Sequence, residues 1–304
     1  MNHTLLFPKN AADTIHKLVE KEEQAYRDGI EKAASLVLES GARFVFLAGP
    51  SCSGKTTTSL CLVEKLKQRG KRVMTFSTDD FFFDQSTAPK NEDGTPNYDA
   101  FEHTDSVFLC SVLQKLSKGH DVALPIFDFV TGKRKSTFYP VSPNDYDIFI
   151  LEGIHALNDQ IVSNLPEKEK SICFYLNVTK KVAMEGKEED ALSPEEIRFC
   201  RRLIRDFKHR EAQAERTFRL WRNVLSAEKV ILHPFSKNAL LTLETNFCYE
   251  IAVEKEEVLS LLLHVKETDT FFPEAKALAE KIRFFPTLSE EIVPENSVLR
   301  EFID

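Results

Sequence analysis

Apolar and polar positions along the chain alternate between two rhythms. From Ala11 to Glu39, Ile15, Leu18, Val19, Tyr26, Ala33 and Val37 recur at helical spacing among charges, which predicts an amphipathic helix covering one side of the strands and helices after it. The run RFVFLA (43–48) then predicts a buried strand, Gly54 to about Arg69 a helix stopped by Gly70, and RVMTFS (72–77) a second strand. Gln85 to Asn97, rich in Asp, Asn, Pro and Gly, reads as a loop, and Asp105 to Lys118 as a helix with Val107, Phe108, Val112, Leu113 and Leu116 on one side. In VALPIFDFVTGKR, Pro125 interrupts a strand-like run and TGK supplies a turn, so an edge hairpin projecting from the sheet fits better than a central strand. DIFILE and SICFYLNV read as further strands, Lys180 to Arg222 as helical, and Phe247 to Asp304 as helical again. The pattern predicts an α/β fold, a parallel sheet with flanking helices. Its expected divisions are an N-terminal helical extension at 1–40, the α/β domain at 41–250 and a C-terminal helical appendage at 251–304.

Composition narrows the partners. Of the 304 residues 42% are hydrophobic and 29% charged, an ordinary globular balance, and the net charge of −8 argues against a protein that embraces nucleic acid. An anion bound here is therefore small and gripped locally. The six cysteines lie far apart with no CxxC pair, so neither a zinc site nor a disulfide framework is expected, and a reducing cytoplasm fits. The N-terminus lacks the basic-then-apolar order of a signal peptide, and no run approaches the roughly 18 apolar residues of a membrane span.

The chemistry begins in GPSCSGKTT, which matches G-x-x-x-x-G-K-[ST] between an expected strand and an expected helix. Gly49 and Gly54 let the backbone curl so that the amides of Ser51, Cys52, Ser53, Gly54, Lys55, Thr56 and Thr57 form a nest for nucleotide phosphates, aided by the helix start. Lys55 adds a cation for the outer phosphates, and Thr56 offers a hydroxyl to Mg²⁺. In STDDFF, at the end of the second strand, Asp79 and Asp80 are placed where strand ends open into a ligand crevice; such a carboxylate can take a proton from an attacking hydroxyl and touch the metal shell, or merely cap a turn. Glu152, ending DIFIL, is a second metal-shell candidate. Arg201, Arg202, Arg205 and Arg210 recur on an expected helix and suit either a lid over phosphates, about 185–217, or a solvated face paired with Glu195, Glu196 and Asp206. His103, His120, His155, His209 and His233 show no ligand spacing and read as structural or surface residues.

Taken in order, GPSCSGKTT, STDDFFF, NYDAFEHTD, PIFDFVTGKR, ILEGIHALN and RRLIRDFKHR resemble the signature segments of the uridine kinase and phosphoribulokinase branch of P-loop kinases, over roughly Arg43 to Tyr249. The ending ENSVLREFID is similar to that of uridine kinase-like proteins that elsewhere carry an N-terminal threonyl-tRNA-synthetase-like region; none is expected here, because the first expected strand begins at Arg43. The resemblance implies that Asp79 is the base activating a ribose 5′-hydroxyl, that Asp99 holds ribose hydroxyls, that Phe127 lies by the nucleobase, and that Arg202, Arg205 and Arg210 hold substrate and triphosphate. It also implies Mg²⁺, ATP or GTP as donor, and a homo-oligomer. Two positions depart from the family: Gly132 stands where a base-reading histidine is common, and Glu211 where a glycine follows the lid arginine. The expected function is phosphorylation of a primary hydroxyl of a nucleoside, uridine by default. A sugar phosphate or other small polyol as acceptor, or a nucleotide-binding regulatory protein with a degenerate pocket, are the alternatives.

Overall fold

The computed structural model describes residues 4–10, 14–92, 94–166 and 170–304. The chain runs through β1 (Thr4–Phe7), α1 (Ile15–Ser40), β2 (Phe44–Ala48), α2 (Lys55–Gln68) and β3 (Val73–Ser77). Next come α3 (Ser106–Ser117), β4 (Val122–Leu124), β5 (Phe127–Asp128), β6 (Lys133–Arg134), β7 (Tyr139–Val141), β8 (Ile148–Glu152) and the one-turn α4 (Asp159–Val162). β9 (Ser171–Asn177), β10 (Lys181–Met184), α5 (Pro194–Arg210), α6 (Ala214–Ile231), α7 (His233–Ser236) and β11 (Leu241–Glu244) follow, and α8 (Glu250–Leu263), α9 (Phe272–Ile282) and α10 (Arg300–Ile303) close the chain.

β2 (FVFLA) and β8 (IFILE) are buried at every position, which only a strand covered on both faces tolerates. They lie at the centre of a five-stranded sheet of order β11-β9-β2-β8-β3, every neighbouring pair parallel. Alternate residues divide between two cores. Val45, Leu47, Ile150 and Phe174 pack with α1, α2, α5 and α8, whereas Phe44, Phe46, Phe149 and Leu151 pack with α3. The expected α/β architecture is therefore present, with helices on both faces. The Val122–Val141 segment stays outside this sheet as two antiparallel ribbons, β4 with β7 and β5 with β6.

Three expectations need correction. β1 pairs in parallel with β10, so the segment before α1 begins with a strand, and the stretch expected to be helical from Lys180 begins with one too. Helix α5 starts only at Pro194, where Ser193 and Glu196 form a reciprocal capping box that fixes its first turn. In α3, Asp105 caps Phe108 N–H and sets a rotation that buries Leu109, Val112, Leu113 and Leu116 while leaving Val107 81% exposed. Residues 11–13 of the first expected helix lie outside the described residues; from Ile15 the helix is present. Among the described residues no helix is long and apolar enough to cross a membrane.

Charge is also buried. Arg201 is fully enclosed and donates to Glu250, whose neighbour one helical turn on, Glu254, is 1% exposed with neither carboxylate oxygen hydrogen-bonded among the described residues. One guanidinium facing two enclosed carboxyls neutralises one of them, and the other keeps its proton. Burial pushes Glu250 up to about 7, while burial and the charge of Glu250 push Glu254 well above the usual carboxylate range. A carboxyl whose pKa rises on folding binds more protons in the folded state, so stability falls as pH rises from its ordinary value through the raised one. The melting temperature should thus drop between about pH 5 and pH 8, and Glu254→Gln should flatten that drop and melt a few degrees above wild type at pH 8. Thermal melts across this range check the assignment; an unchanged slope in the variant contradicts it.

Candidate active site

β2 ends in the centre of the sheet, and the chain turns through Gly49–Gly54 into α2. Gly49 is irreplaceable on steric grounds: a Cβ there would lie 2.6 Å from Ser53 Oγ and 2.8 Å from Leu176 O. Gly54 sits at φ +81° and Cys52 at φ +59°, the latter a left-handed conformation that an L side chain adopts only when its surroundings dictate it.

What dictates it is visible in where the loop carbonyls go. Gly49 O and Pro50 O accept from Lys55 Nζ, both at 3.0 Å; Ser51 O accepts from Arg198 Nη1 at 2.9 Å; Cys52 O from Arg201 Nη1 at 3.2 Å; Ser53 O from Thr245 Oγ1 at 2.8 Å; and Gly54 O from Thr58 N at 2.9 Å. With each carbonyl engaged, the amides are left to the concave side. Among the described residues the N–H groups of Cys52, Gly54, Lys55 and Thr56 have no protein acceptor, and the fully buried Ser53 Oγ has none either. Such a cluster fits a phosphate chain. Three further amides are occupied: Ser51 N–H donates to Glu228 Oε1 at 2.8 Å, Ser53 N–H to Pro50 O at 3.2 Å, and Thr57 donates through N–H at 3.1 Å and Oγ1 at 2.9 Å to Glu301 Oε2.

The five arginines of α5 divide the work, and Arg198 holds Ser51 O from behind the loop. Arg201 belongs to the core. Arg202, Arg205 and Arg210 converge on Asp206, at 3.1, 3.0 and 3.4 Å, and Arg202 Nη1 also donates to Ser51 Oγ at 3.0 Å. Burial would raise Asp206, but the three guanidinium groups outweigh it and hold the carboxyl below its ordinary range. Burial, with the charge of Arg205 adding, pulls Arg210 down to about 10. A single carboxylate cannot neutralise three arginines, so this end of the helix carries surplus positive charge. Glu211, in the left-handed conformation at the helix end (φ +52°), is exposed, so its carboxylate leaves that surplus intact.

Opposite the cradle stand the acids. Register pairs Leu47 and Ser77 with Glu152, which brings the carboxyl ends of β2, β8 and β3 level. Asp79 lies just beyond β3, its N–H on Ser77 Oγ at 3.2 Å and its carboxylate accepting from Thr78 Oγ1 at 3.1 Å. Burial, reinforced by the charge of Asp79 and opposed by Lys55, pushes Glu152 up to about 8. Asp80 is turned elsewhere, accepting from Phe127 N–H at 3.2 Å. Among the described residues no three His, Cys, Asp or Glu side chains form a self-sufficient metal cage. The exposed Thr56 hydroxyl with Asp79 and Glu152 supplies hard oxygen donors of the kind Mg²⁺ takes when phosphate and water complete its shell.

One cavity gathers Ser51, Lys55, Asp79, Asp99, Phe127, Arg202, Arg205 and Arg210. Burial raises Asp99, with the Arg202 charge opposing. Phe127 meets Phe129 (5.1 Å between ring centroids) and Phe82 (5.9 Å) edge to face, and Arg210 lies over Phe129 at 4.8 Å. Gly132 is covered by Gln85, which also lines the cavity: a Cβ on the glycine would stand 2.6 Å from Gln85 Oε1. His103 lines it too, stacked on Phe82 and bonded to Tyr98 O at 3.0 Å, while His155 is fully buried and pulled down to about 4 by burial. The sequence pattern does not single out Arg198, Glu228, Glu250, Glu301 or Gln85. Their partners lie far away along the chain, and although Glu301 falls in the ending ENSVLREFID, nothing in that segment points to Thr57.

The family model described as "Phosphoribulokinase / Uridine kinase family" matches residues 44–184. A uridine kinase of Anoxybacillus flavithermus is 30% identical over 179 residues, covering 59% of this chain and 74% of the relative. A uridine kinase of Leuconostoc citreum is 29% identical over 164 residues, 54% of this chain and 68% of the relative. Among solved structures, one described as a fructose transport system kinase from Silicibacter sp. TM1040 superposes with a TM-score of 0.51 at 20% identity, over 70% of this chain and 98% of its own, a likeness of fold.

Proposed function

The chain belongs to the phosphoribulokinase/uridine kinase family and is a kinase, and from that premise we propose that it transfers the terminal phosphoryl group of ATP or GTP, with Mg²⁺, to the primary hydroxyl of a nucleoside, uridine by default. The observation that supports this most is that Lys55 and Asp79 face one cavity with Asp99 and Phe127. Backbone N–H groups of Cys52, Gly54, Lys55 and Thr56 hold the phosphate chain, and Lys55 leaves Gly49 O and Pro50 O to reach its outer oxygens. Thr56, Asp79 and Glu152 hold the cation, which when bound spreads the charge of the migrating group. Asp79 accepts the proton of the attacking hydroxyl, Asp99 orients the acceptor, and Phe127 with Phe129 packs on its ring. Arg205 and Arg210 stabilise charge as the phosphoryl group moves, with Arg202 on the acceptor side.

Gln85 gives the aromatic pocket a carboxamide where Gly132 offers none. A carboxamide both donates and accepts, so it suits the N–H and C=O edge of a planar base. A phosphate-bearing sugar as acceptor is the second reading, favoured by the surplus positive charge around Asp206. The degenerate-pocket reading loses ground, because Glu211 is exposed and Gln85 covers Gly132.

The test is phosphoryl transfer from labelled ATP across a panel of nucleosides, sugar phosphates and polyols. Asp79→Asn should retain ATP binding and transfer about 10²- to 10⁴-fold more slowly; equal rates would remove Asp79 as the base. On the same panel, Gln85→Ala should raise KM for the preferred nucleoside about tenfold with kcat little changed, the loss of one or two hydrogen bonds. If nucleosides react no better than sugar phosphates in the wild type, the acceptor assignment is wrong.

A further inference from the structure

The first turn of α2 is the end of the phosphate cradle, and its third N–H is already taken. Thr57 presents both its amide and its hydroxyl to a single carboxylate oxygen of Glu301, 244 residues away in the chain. The helix has no side-chain cap of its own, because the preceding residue is Gly54. A carboxylate there satisfies an orphan donor and meets the positive end of the helix, the same two attractions that draw a phosphate.

The segment that delivers Glu301 lies directly on the loop. Val298 packs against Gly54 so closely that a Cβ on the glycine would collide with its methyl group. Ser297 donates to Glu23 at 2.5 Å, Arg300 to Val293 O at 2.5 Å, and Phe302 lies under the Arg201 guanidinium at 5.1 Å. These anchors do not use the Glu301 carboxylate, so it can leave Thr57 while the segment remains attached.

We propose that Glu301 is a built-in competitor for the tail of the phosphoryl donor, occupying the Thr57 amide that a bound triphosphate reaches, and thereby setting donor affinity. This rests on the proposed donor reading of the cradle. One N–H cannot serve a carboxylate and a phosphate at full strength, and the two anions repel each other across a few ångströms. Donor binding therefore displaces Glu301 or proceeds against it. A purely structural cap makes the opposite forecast, since loss of the carboxylate would then loosen α2 and weaken the cradle.

Glu301→Gln separates the two, because the amide oxygen still accepts from Thr57 while the charge is gone. Calorimetric titration with ATP and Mg²⁺ should give a Kd about fivefold or more below wild type, within the usual range of site coupling. An equal or weaker affinity overturns the proposal. Nuclear magnetic resonance on the wild-type protein is the second readout and needs no variant: the Thr57 amide and the Glu301 carboxyl resonances should both shift when ATP and Mg²⁺ are added, and a Glu301 carboxyl resonance that stays in place in the ATP-bound protein contradicts displacement. If neither protein binds ATP or GTP, the donor assignment itself fails, and this inference with it.

Discussion

The cradle depends on an enclosed ion pair that lies behind it. A loop can turn its amides toward a ligand only if its carbonyls are satisfied on the other side, and here two of those carbonyls, Ser51 O and Cys52 O, are held by Arg198 and Arg201. Each arginine is itself fixed, Arg198 by both oxygens of Glu228 and Arg201 by Glu250. Removing one partner of an enclosed pair typically costs about 3–5 kcal/mol, because the other charge is stranded. The left-handed Cys52 is thus imposed by α5, α6 and α8 acting together, and the helices after the last sheet strand are part of what shapes the phosphate site.

Helix α5 serves two ends because its arginines fall on two stripes. Arg198 and Arg201, three apart, face the loop from behind; Arg202, Asp206 and Arg210, four apart, face the cavity. A motion of α5 would therefore move the cradle and the surplus charge above it together. Arg201 is fully enclosed with Glu250 and the Cys52 and Thr245 carbonyls as its partners, whereas Arg205 and Arg210 keep partial access to the cavity.

Local chemistry was legible from the sequence. The G-x-x-x-x-G-K-T run between a continuous apolar strand and a helix has essentially one physical meaning, and the apolar runs around Phe46 and Ile150 left little choice but a sheet covered on both faces. Lys55 and Asp79 were readable from their places after the first two sheet strands, whereas Asp99, Phe127, Arg202, Arg205 and Arg210 came from the family resemblance; one cavity gathers all of them. What was not legible is non-local. Glu228, Glu250 and Glu301 look like ordinary acids on charged helices, and only the packing of distant segments shows that they meet Ser51, Arg201 and Thr57. Gln85 is a loop residue whose importance appears only when Gly132 is seen beneath it. The strand pair β1 with β10 escaped because four-residue strands carry too little periodicity, and Val107 because apolarity alone does not fix the rotation of a helix.

The most direct test of the claim that a buried pair shapes the cradle compares Arg201→Met with the double variant Arg201→Met/Glu250→Met, measuring melting temperature and ATP–Mg²⁺ affinity on the same samples. A well-packed apolar pair replaces an enclosed ion pair with little loss of stability, so the double variant should recover most of the melting temperature that the single one loses. Its affinity should stay about tenfold or more below wild type, because neither methionine can hold Cys52 O. Wild-type affinity in the double variant would contradict the claim.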